Sequence, residues 1–438
     1  FLHEYRHFLS YPRAMRVLLV TNLIYAFVLP VIDIFVGAYV MRNSNDVKMV
    51  VSYQLAVYTG IPFTFLLNGI LLRRVAIKWL YSLGMLLSGV SMMFMMSLGQ
   101  LSLAGVTSAG FIMGMSFGLF WANRDFLVLT TTDDANRNYY YGLETFFYTN
   151  TYVVVPMAIG WFIAGAGNYE WFGGANGAYQ IVTGCVLLFT IVASLVVHRG
   201  TFQNPPSKPF LFWRYHRLWN QMLVLAVLKG LTQGYIVTAP AMLVMMLVGG
   251  EGTLGTLQAI GGIVSAFLLY WIGRTTRPAH RLAIFALGLV LFLLGGLANA
   301  LLFDAAGVLV FMMCLLLARP LHDLAYFPIQ MRVIDVVSAI ESRNQFAYIM
   351  NHEFGLYVGR FVGCSLFIVL ASALSEVFAL RFALAIVGGM QLFSWWIARD
   401  IVRGCESPDL PVSPGLPAPI DGVTPASAEY STGANLHG

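Results

Sequence analysis

Twelve long apolar runs alternate with short polar breaks, at 17–40, 50–72, 77–97, 102–130, 139–165, 177–197, 218–248, 253–273, 281–303, 306–332, 342–372 and 377–398. About 20 apolar residues suffice for a helix to cross a bilayer. In hydrocarbon every backbone polar group must be bonded within its own segment, so each run predicts a helix. Several runs exceed the bilayer thickness and are expected to tilt or project beyond it. The one long connection, 198–217, is polar and basic, with Pro205, Pro206 and Pro209. It divides the chain into an N-terminal segment 1–16, a six-helix bundle 17–197, the linker 198–217, a second six-helix bundle 218–400 and a tail 401–438. The tail is rich in Pro, Ser, Ala and Gly and poor in large apolar residues, a composition expected to remain disordered.

Composition agrees with this pattern. Of the 438 residues 58% are hydrophobic and 10% charged, with a mean hydropathy of +0.75, whereas soluble domains carry about 25% charged residues. The sequence describes an all-α integral membrane protein. No segment between runs is long enough for a soluble catalytic domain, and no Walker motif is present, which argues against a fused ATPase. The net charge of +5 calls for no nucleic-acid partner. Cys185, Cys314, Cys364 and Cys405 form neither a CxxC pair nor a disulfide framework. The chain starts at Phe1, and its first apolar run is too long for the core of a signal peptide.

Charge distribution supplies an orientation. With twelve spans and the N-terminus inside, 18 of the 25 Lys and Arg fall on inner segments, against Arg42, Lys48 and Arg381 toward the outside. The positive-inside rule then puts both termini and the linker in the cytoplasm. The bundles also echo each other at an offset of about 206 residues, Arg137-Asn138 recurring as Arg343-Asn344, as expected of an internal repeat.

Two six-helix halves, cytoplasmic termini and a basic central loop resemble the major facilitator superfamily of secondary transporters. That family carries Gly-x-x-x-Asp-Arg-x-Gly-Arg-Arg between spans 2 and 3. Here the place reads Gly69-Ile-Leu-Leu-Arg73-Arg74-Val-Ala76-Ile-Lys78. Arg73 replaces the Asp and Ala76 the second Gly, so the fold is implied but the family's usual charge-relay gate is not. The equivalent loop of the second bundle, Gly273 to Arg277, is similarly reduced. Trp121 to Asp125 and Arg137 to Glu144 are similar to the YqgE-like group of bacterial transporters, a resemblance that implies no substrate. Together these imply a bacterial inner-membrane, alternating-access transporter without cofactor, expected to be monomeric.

An ionised side chain inside a membrane is costly and should meet a partner or a watery cavity. Such residues are Asp33 in span 1, Arg124 and Asp125 in span 4, Glu144 in span 5, Lys229 in span 7, Arg319 and Asp323 in span 10, and Glu353 and Arg360 in span 11. In the family's fold, spans 1, 4, 7 and 10 line the central cavity, which is where most of these charges fall. At 1.5 Å per residue, Lys229 lies roughly 17 Å deep and His352 and Glu353 roughly 15 Å, near the midplane where such transporters bind substrate and coupling ions.

The expected substrate or proton site is therefore Asp33, Lys229, Arg319, His322, Asp323, His352 and Glu353, with a Lys229–Glu353 pair across the second bundle as the preferred contact. Arg319 and Asp323, four apart, can also pair along span 10. Asn22 and Tyr25 share a helical stripe with Asp33 and are expected to line the cavity, as are Thr232 and Gln233 beside Lys229. Arg73, Arg74, Arg124, Asp125, Arg137 and Glu144 are read as a cytoplasmic gate, and Arg360 as snorkelling to the interface. The Met-rich face of span 3 and the Gly110, Gly114, Gly118 stripe are read as packing.

The leading functional reading is a proton-coupled secondary transporter of a small polar or charged solute. A metal or metal-chelate permease is the second transport reading, since His, Asp, Glu and Asn suit divalent cations. An intramembrane transferase using His322 and Asp323 as acid and base is the reading from another class. The repeated halves and the lack of long loops for a head-group substrate weigh against it, and the chain is expected not to be an enzyme.

Overall fold

A computed structural model describes residues 6, 8–132, 134–204, 212, 214–275, 280–343 and 345–405. The tail beyond 405, most of the linker core and the Arg277 loop lie outside the described residues, as do the side chains of Arg137 and Arg274. The described chain is built of helices: α1 (Arg13–Tyr25), α2 (Val36–Ser44), α3 (Val47–Leu71), α4 (Ile77–Ser97), α5 (Leu103–Thr131), α6 (Asp134–Tyr169), α7 (Ala175–Val197), α8 (Arg217–Ile236), α9 (Ala239–Leu247), α10 (Glu251–Thr275), α11 (Arg281–Leu302), α12 (Ala305–Glu341), α13 (Gln345–Ala373), α14 (Glu376–Gln391) and α15 (Phe393–Cys405).

Among the described residues, ten helical segments are long and apolar enough to cross a membrane, against the twelve expected. The interruption of the first run has a physical cause. The run 17–40 is broken into α1, a π-helical turn Val31–Phe35 and α2. Pro30 has no N–H and its ring crowds the preceding turn, and the backbone tightens at Ala26 to Val28, where Val28 N–H donates to Tyr25 C=O at 2.9 Å. The run 253–273 falls within the 25-residue α10, whose C-terminal side chains lie largely outside the described residues. The run 218–248 is interrupted at Val237 and Thr238 before Pro240, and that at 377–398 continues to Cys405 past a break at Leu392. The 37-residue α12 is about 55 Å long, well beyond the hydrocarbon core.

Helix starts are set by polar caps. Asp46, Ser102, Asp304 and Ser375 accept backbone N–H bonds at the first turns of α3, α5, α12 and α14, satisfying donors a helix leaves open. Small residues then draw helices together. The Cβ that Gly114 lacks would meet the Val57 carbonyl, and that of Gly359 the Val227 carbonyl, so α3 closes on α5 and α8 on α13 at backbone distance. Along with these pairs, α11 packs on α12, α6 on α10 and α3 on α13.

Candidate functional site

Lys229 is carried on α8 and Asp323 on α12, and the two form an ion pair with Nζ 2.8 Å from Oδ1. The Lys229 side chain is 7% exposed and that of Asp323 48%. The ammonium also lies 3.9 Å from the Tyr326 ring centroid and 4.1 Å from that of Phe327, positions in which ring faces attract a cation. His322 Nδ1 stands 3.4 Å from the same Asp323 oxygen, and its ring stacks on Tyr326. The Tyr326 hydroxyl in turn shares a 2.6 Å hydrogen bond with His352 Nε2. A cavity of ≈ 110 Å³ opens beside this chain of groups, with Lys229, Thr232, Gln233, Arg319, His322 and Asp323 in its wall.

This arrangement corrects the expected pairing. Glu353 does not meet Lys229. Its carboxylate lies 3.5 Å from Arg360, two turns along α13 on the same face. Matching depth placed Lys229 and Glu353 at one level, but depth does not fix the direction in which a helix presents a side chain. Arg319 does not take Asp323 either. The desolvated Lys229 ammonium claims that carboxylate, while the guanidinium four residues away is exposed at the cavity wall. Among the described residues Arg319 has neither a hydrogen bond nor an ion pair.

Arg360 is not a snorkelling residue. Its Nε donates to Gln233 Oε1 at 2.9 Å and its guanidinium lies 4.9 Å from the Tyr58 ring centroid. Tyr58 on α3 donates its hydroxyl to the Gln233 carbonyl at 2.9 Å. Tyr58, Gln233, Arg360 and Glu353 thus tie α3, α8 and α13 together. Tyr58 went unnoticed because an isolated aromatic in an apolar run carries no sequence signal.

Asp33 sits in the π-helical turn, exposed, and accepts a hydrogen bond from the Tyr152 hydroxyl of α6. Asn22 and Tyr25, expected beside it on an open wall, are fully buried. Asn22 Nδ2 donates to Tyr140 Oη and to Glu144 Oε1, each at 2.7 Å, and its Oδ1 accepts from Tyr81. Tyr25 packs on Phe120, ring centroids 4.3 Å apart. The helical stripe gave the direction these residues point but not the α4 and α6 tyrosines that cover them.

Glu144 is the centre of that buried network. Arg124 binds it through Nη2 and, at 3.3 Å, through Nε, and also holds Asp125 at 2.6 Å. Arg73 and Arg74 are exposed and make no ion pair among the described residues. The loop that carries them is pinned by Asn204, whose Nδ2 donates to the Leu72 and Val75 carbonyls at 2.7 Å and whose Oδ1 accepts from Ile77 N–H at 2.8 Å.

At the opposite end of the bundle, Arg42 forms a two-point bridge to Glu251, with Nη2 2.8 Å from Oε2. Glu251 is 1% exposed and also accepts from the Tyr179 hydroxyl. Lys48 and Glu376 pair nearby at 3.2 Å. This cluster was missed because Glu251 lies just before an apolar run and reads as a loop residue, although Arg42 and Lys48 were the conspicuous cations of that side. Among the described residues no three His, Cys, Asp or Glu side chains converge as a metal-holding group.

No family model matches the chain. It is 23% identical over 378 residues to the uncharacterized protein YqgE of Bacillus subtilis (strain 168), covering 84% of this chain and 85% of that protein. Among solved structures it is similar to a POT family transporter in complex with 5-aminolevulinic acid, with TM-score 0.65 at 12% identity over 89% of this chain and 97% of the other. It is likewise similar to a bacterial metal transporter, with TM-score 0.61 at 14% identity over 89% and 99%. The likeness is one of fold. With the ten apolar helices it makes this chain a multi-pass integral membrane protein folded like membrane transporters.

Proposed function

We propose that the chain is a secondary active transporter of the major facilitator type, moving a small polar or charged solute across the bacterial inner membrane by alternating access. The observation that carries this reading is the ≈ 110 Å³ cavity walled by Lys229, Arg319, His322 and Asp323, on helices long and apolar enough to cross a membrane. Ionisable groups inside a membrane are tolerated where they serve a substrate or ion path.

In this reading the twelve runs are twelve spans in two six-helix halves, 17–197 and 218–400, with the linker and both termini cytoplasmic. Support comes from the corresponding breaks before Pro30 and Pro240, since interrupted helices at matching positions of two repeats mark binding sites in such transporters. The packing of α3 on α13 and of α6 on α10 then joins the halves. The Arg42–Glu251 bridge closes the outer end, and the Arg124, Asp125, Glu144 network serves the inner end, to which this reading also assigns Arg73, Arg74 and Arg137. The protein works as a monomer and is not an enzyme.

Proton coupling follows from the groups that meet at Lys229. Protonating Asp323 would remove the partner of a buried ammonium, so proton and cavity occupancy are linked through one ion pair. His322, His352 and Glu353 are the other titratable groups within this layer. The test is solute uptake by purified protein in liposomes under an imposed pH gradient. Uptake that depends on the gradient and is lost in Asp323→Asn supports the reading, whereas gradient-independent uptake overturns the coupling.

A further inference from the structure

The polar groups in the wall of the ≈ 110 Å³ cavity have hydrogen-bonding capacity of one kind left over. Asp323, the one carboxylate that the described residues place in this wall, is taken by Lys229 at 2.8 Å and stands 3.4 Å from His322 Nδ1. Gln391 donates to the Leu228 carbonyl and accepts from Ser394. Gln233 has its Oε1 engaged by Arg360, so its amide N–H groups are what it still offers. The Thr232 hydroxyl is buried without a partner. Arg319 is exposed at the wall and, among the described residues, has neither a hydrogen bond nor an ion pair. Donors are therefore what the wall has to spare, and with Lys229 and Asp323 cancelling, one positive charge is left over.

The remaining wall has a different character. Ile236 on α8, Leu289 and Phe292 on α11 and Ala318 on α12 face the same space with buried apolar side chains. A cation would meet Arg319 and Lys229, and the carboxylate it needs is already engaged. A dianion would press its second charge against the apolar wall, where nothing replaces lost hydration. A monoanion with an apolar body suits both parts. Guanidinium takes a carboxylate through two parallel N–H bonds, and because Arg319 is open to solvent the solute can reach it by displacing water.

We propose that this cavity binds a short-chain aliphatic monocarboxylate, its carboxylate on the Arg319 guanidinium and the Thr232 hydroxyl and its alkyl chain against Ile236, Leu289 and Phe292. A space of ≈ 110 Å³ holds no more than a few water molecules, which favours a chain of few carbons. The inference rests on the transporter reading for its setting and names the class of solute for that site.

Equilibrium binding to the purified full chain in lipid nanodiscs tests it, with acetate, butanoate and hexanoate as probes. Butyramide and butylamine keep the size of butanoate without its charge, succinate adds a second charge, and phosphate and chloride lack the chain. Butanoate should bind at least tenfold more tightly than each of these five controls. Arg319→Gln should weaken butanoate roughly tenfold or more, as expected for loss of a charged hydrogen-bonding partner, and Arg319→Lys should retain part of the affinity. Thr232→Val should weaken it several-fold. Phe292→Ala lengthens the apolar end and should shift the preference from butanoate toward hexanoate, a change that mere loss of folding would not produce. If Arg319→Gln is not monodisperse, Arg319→Lys and Phe292→Ala decide the matter. Butyramide, phosphate or chloride binding as tightly as butanoate would overturn the proposal, as would butanoate binding that survives Arg319→Gln. Proton-driven uptake of another solute, with no carboxylate bound, would sink the monocarboxylate site and leave the transporter reading standing. Butanoate binding with the expected losses, but no uptake in liposomes, would support the site and overturn the transporter reading.

Discussion

Lys229 and Asp323 join α8 to α12 across 2.8 Å, and the two ends of this bridge see different surroundings. The ammonium is almost wholly desolvated between Tyr326 and Phe327, whereas nearly half of the carboxylate surface faces open space. Breaking the pair from its two sides should therefore have unequal consequences.

Asp323→Asn strands a buried cation and should destabilise the protein by about 3–5 kcal/mol, the range for an orphaned buried charge. Lys229→Met leaves a partly solvated carboxylate and should cost less. The double variant should be more stable than Asp323→Asn alone. Thermal unfolding of the four proteins, read as a double-mutant cycle, gives the coupling directly. Additive effects would mean that the pair does not form in the membrane.

The Arg360 cluster predicts a different hierarchy. Arg360 holds Glu353 and Gln233 and lies over Tyr58. Arg360→Met therefore breaks an ion pair, a hydrogen bond and a cation–π interaction, whereas Glu353→Gln breaks the ion pair alone. Arg360→Met should lower stability by roughly 2 kcal/mol more than Glu353→Gln, since a hydrogen bond and a cation–π interaction are each worth about 1 kcal/mol. Thermal unfolding of the two variants checks this, and equal losses would indicate that Arg360 spends its time at the interface.

The sequence carried the class of fold, because lipid permits few answers to a long apolar run. Among the described residues, ten runs return as helices long and apolar enough to cross a membrane. The break before Pro30 was not read from the first apolar run. The ionisable residues around Lys229 could be singled out for the same reason, since each charge in hydrocarbon needs an explanation, but Tyr326, which links Lys229, His322 and His352, could not. What could not be read was who meets whom. Partner choice depends on helix rotation and on neighbours from distant parts of the chain, so Lys229 found Asp323 rather than Glu353, and Asn22 found Tyr81, Tyr140 and Glu144 rather than open space. Glu251 was overlooked because its counter-ion, Arg42, lies 209 positions away.

Gly359 on α13 meets the Val227 carbonyl of α8 so closely that a methyl group cannot fit. Gly359→Val should force these helices apart and lower thermal stability by several kcal/mol, beyond the about 1–3 kcal/mol common for an overpacked site, because the obstacle is backbone rather than a flexible side chain. Gly389, with open space around its Cα, is the control, and Gly389→Ala should be near neutral or slightly stabilising through helix propensity.

The bridge between Arg42 and Glu251 gives the last prediction. Glu251 is buried and has two donors, Arg42 and Tyr179, so Arg42→Gln removes the charge that makes burial of the carboxylate tolerable. If this bridge holds the outer end shut, Arg42→Gln and Glu251→Gln should both favour opening there. In a cysteine-free background carrying Thr232→Cys on the cavity wall, a membrane-impermeant maleimide added to intact cells should then label that cysteine several-fold faster in either variant than with the bridge intact. Glu251→Gln should be the better folded of the two, because it replaces a buried charge with a neutral group of the same shape. Unchanged labelling in both variants, with normal expression, would show that the bridge fastens the fold without gating it.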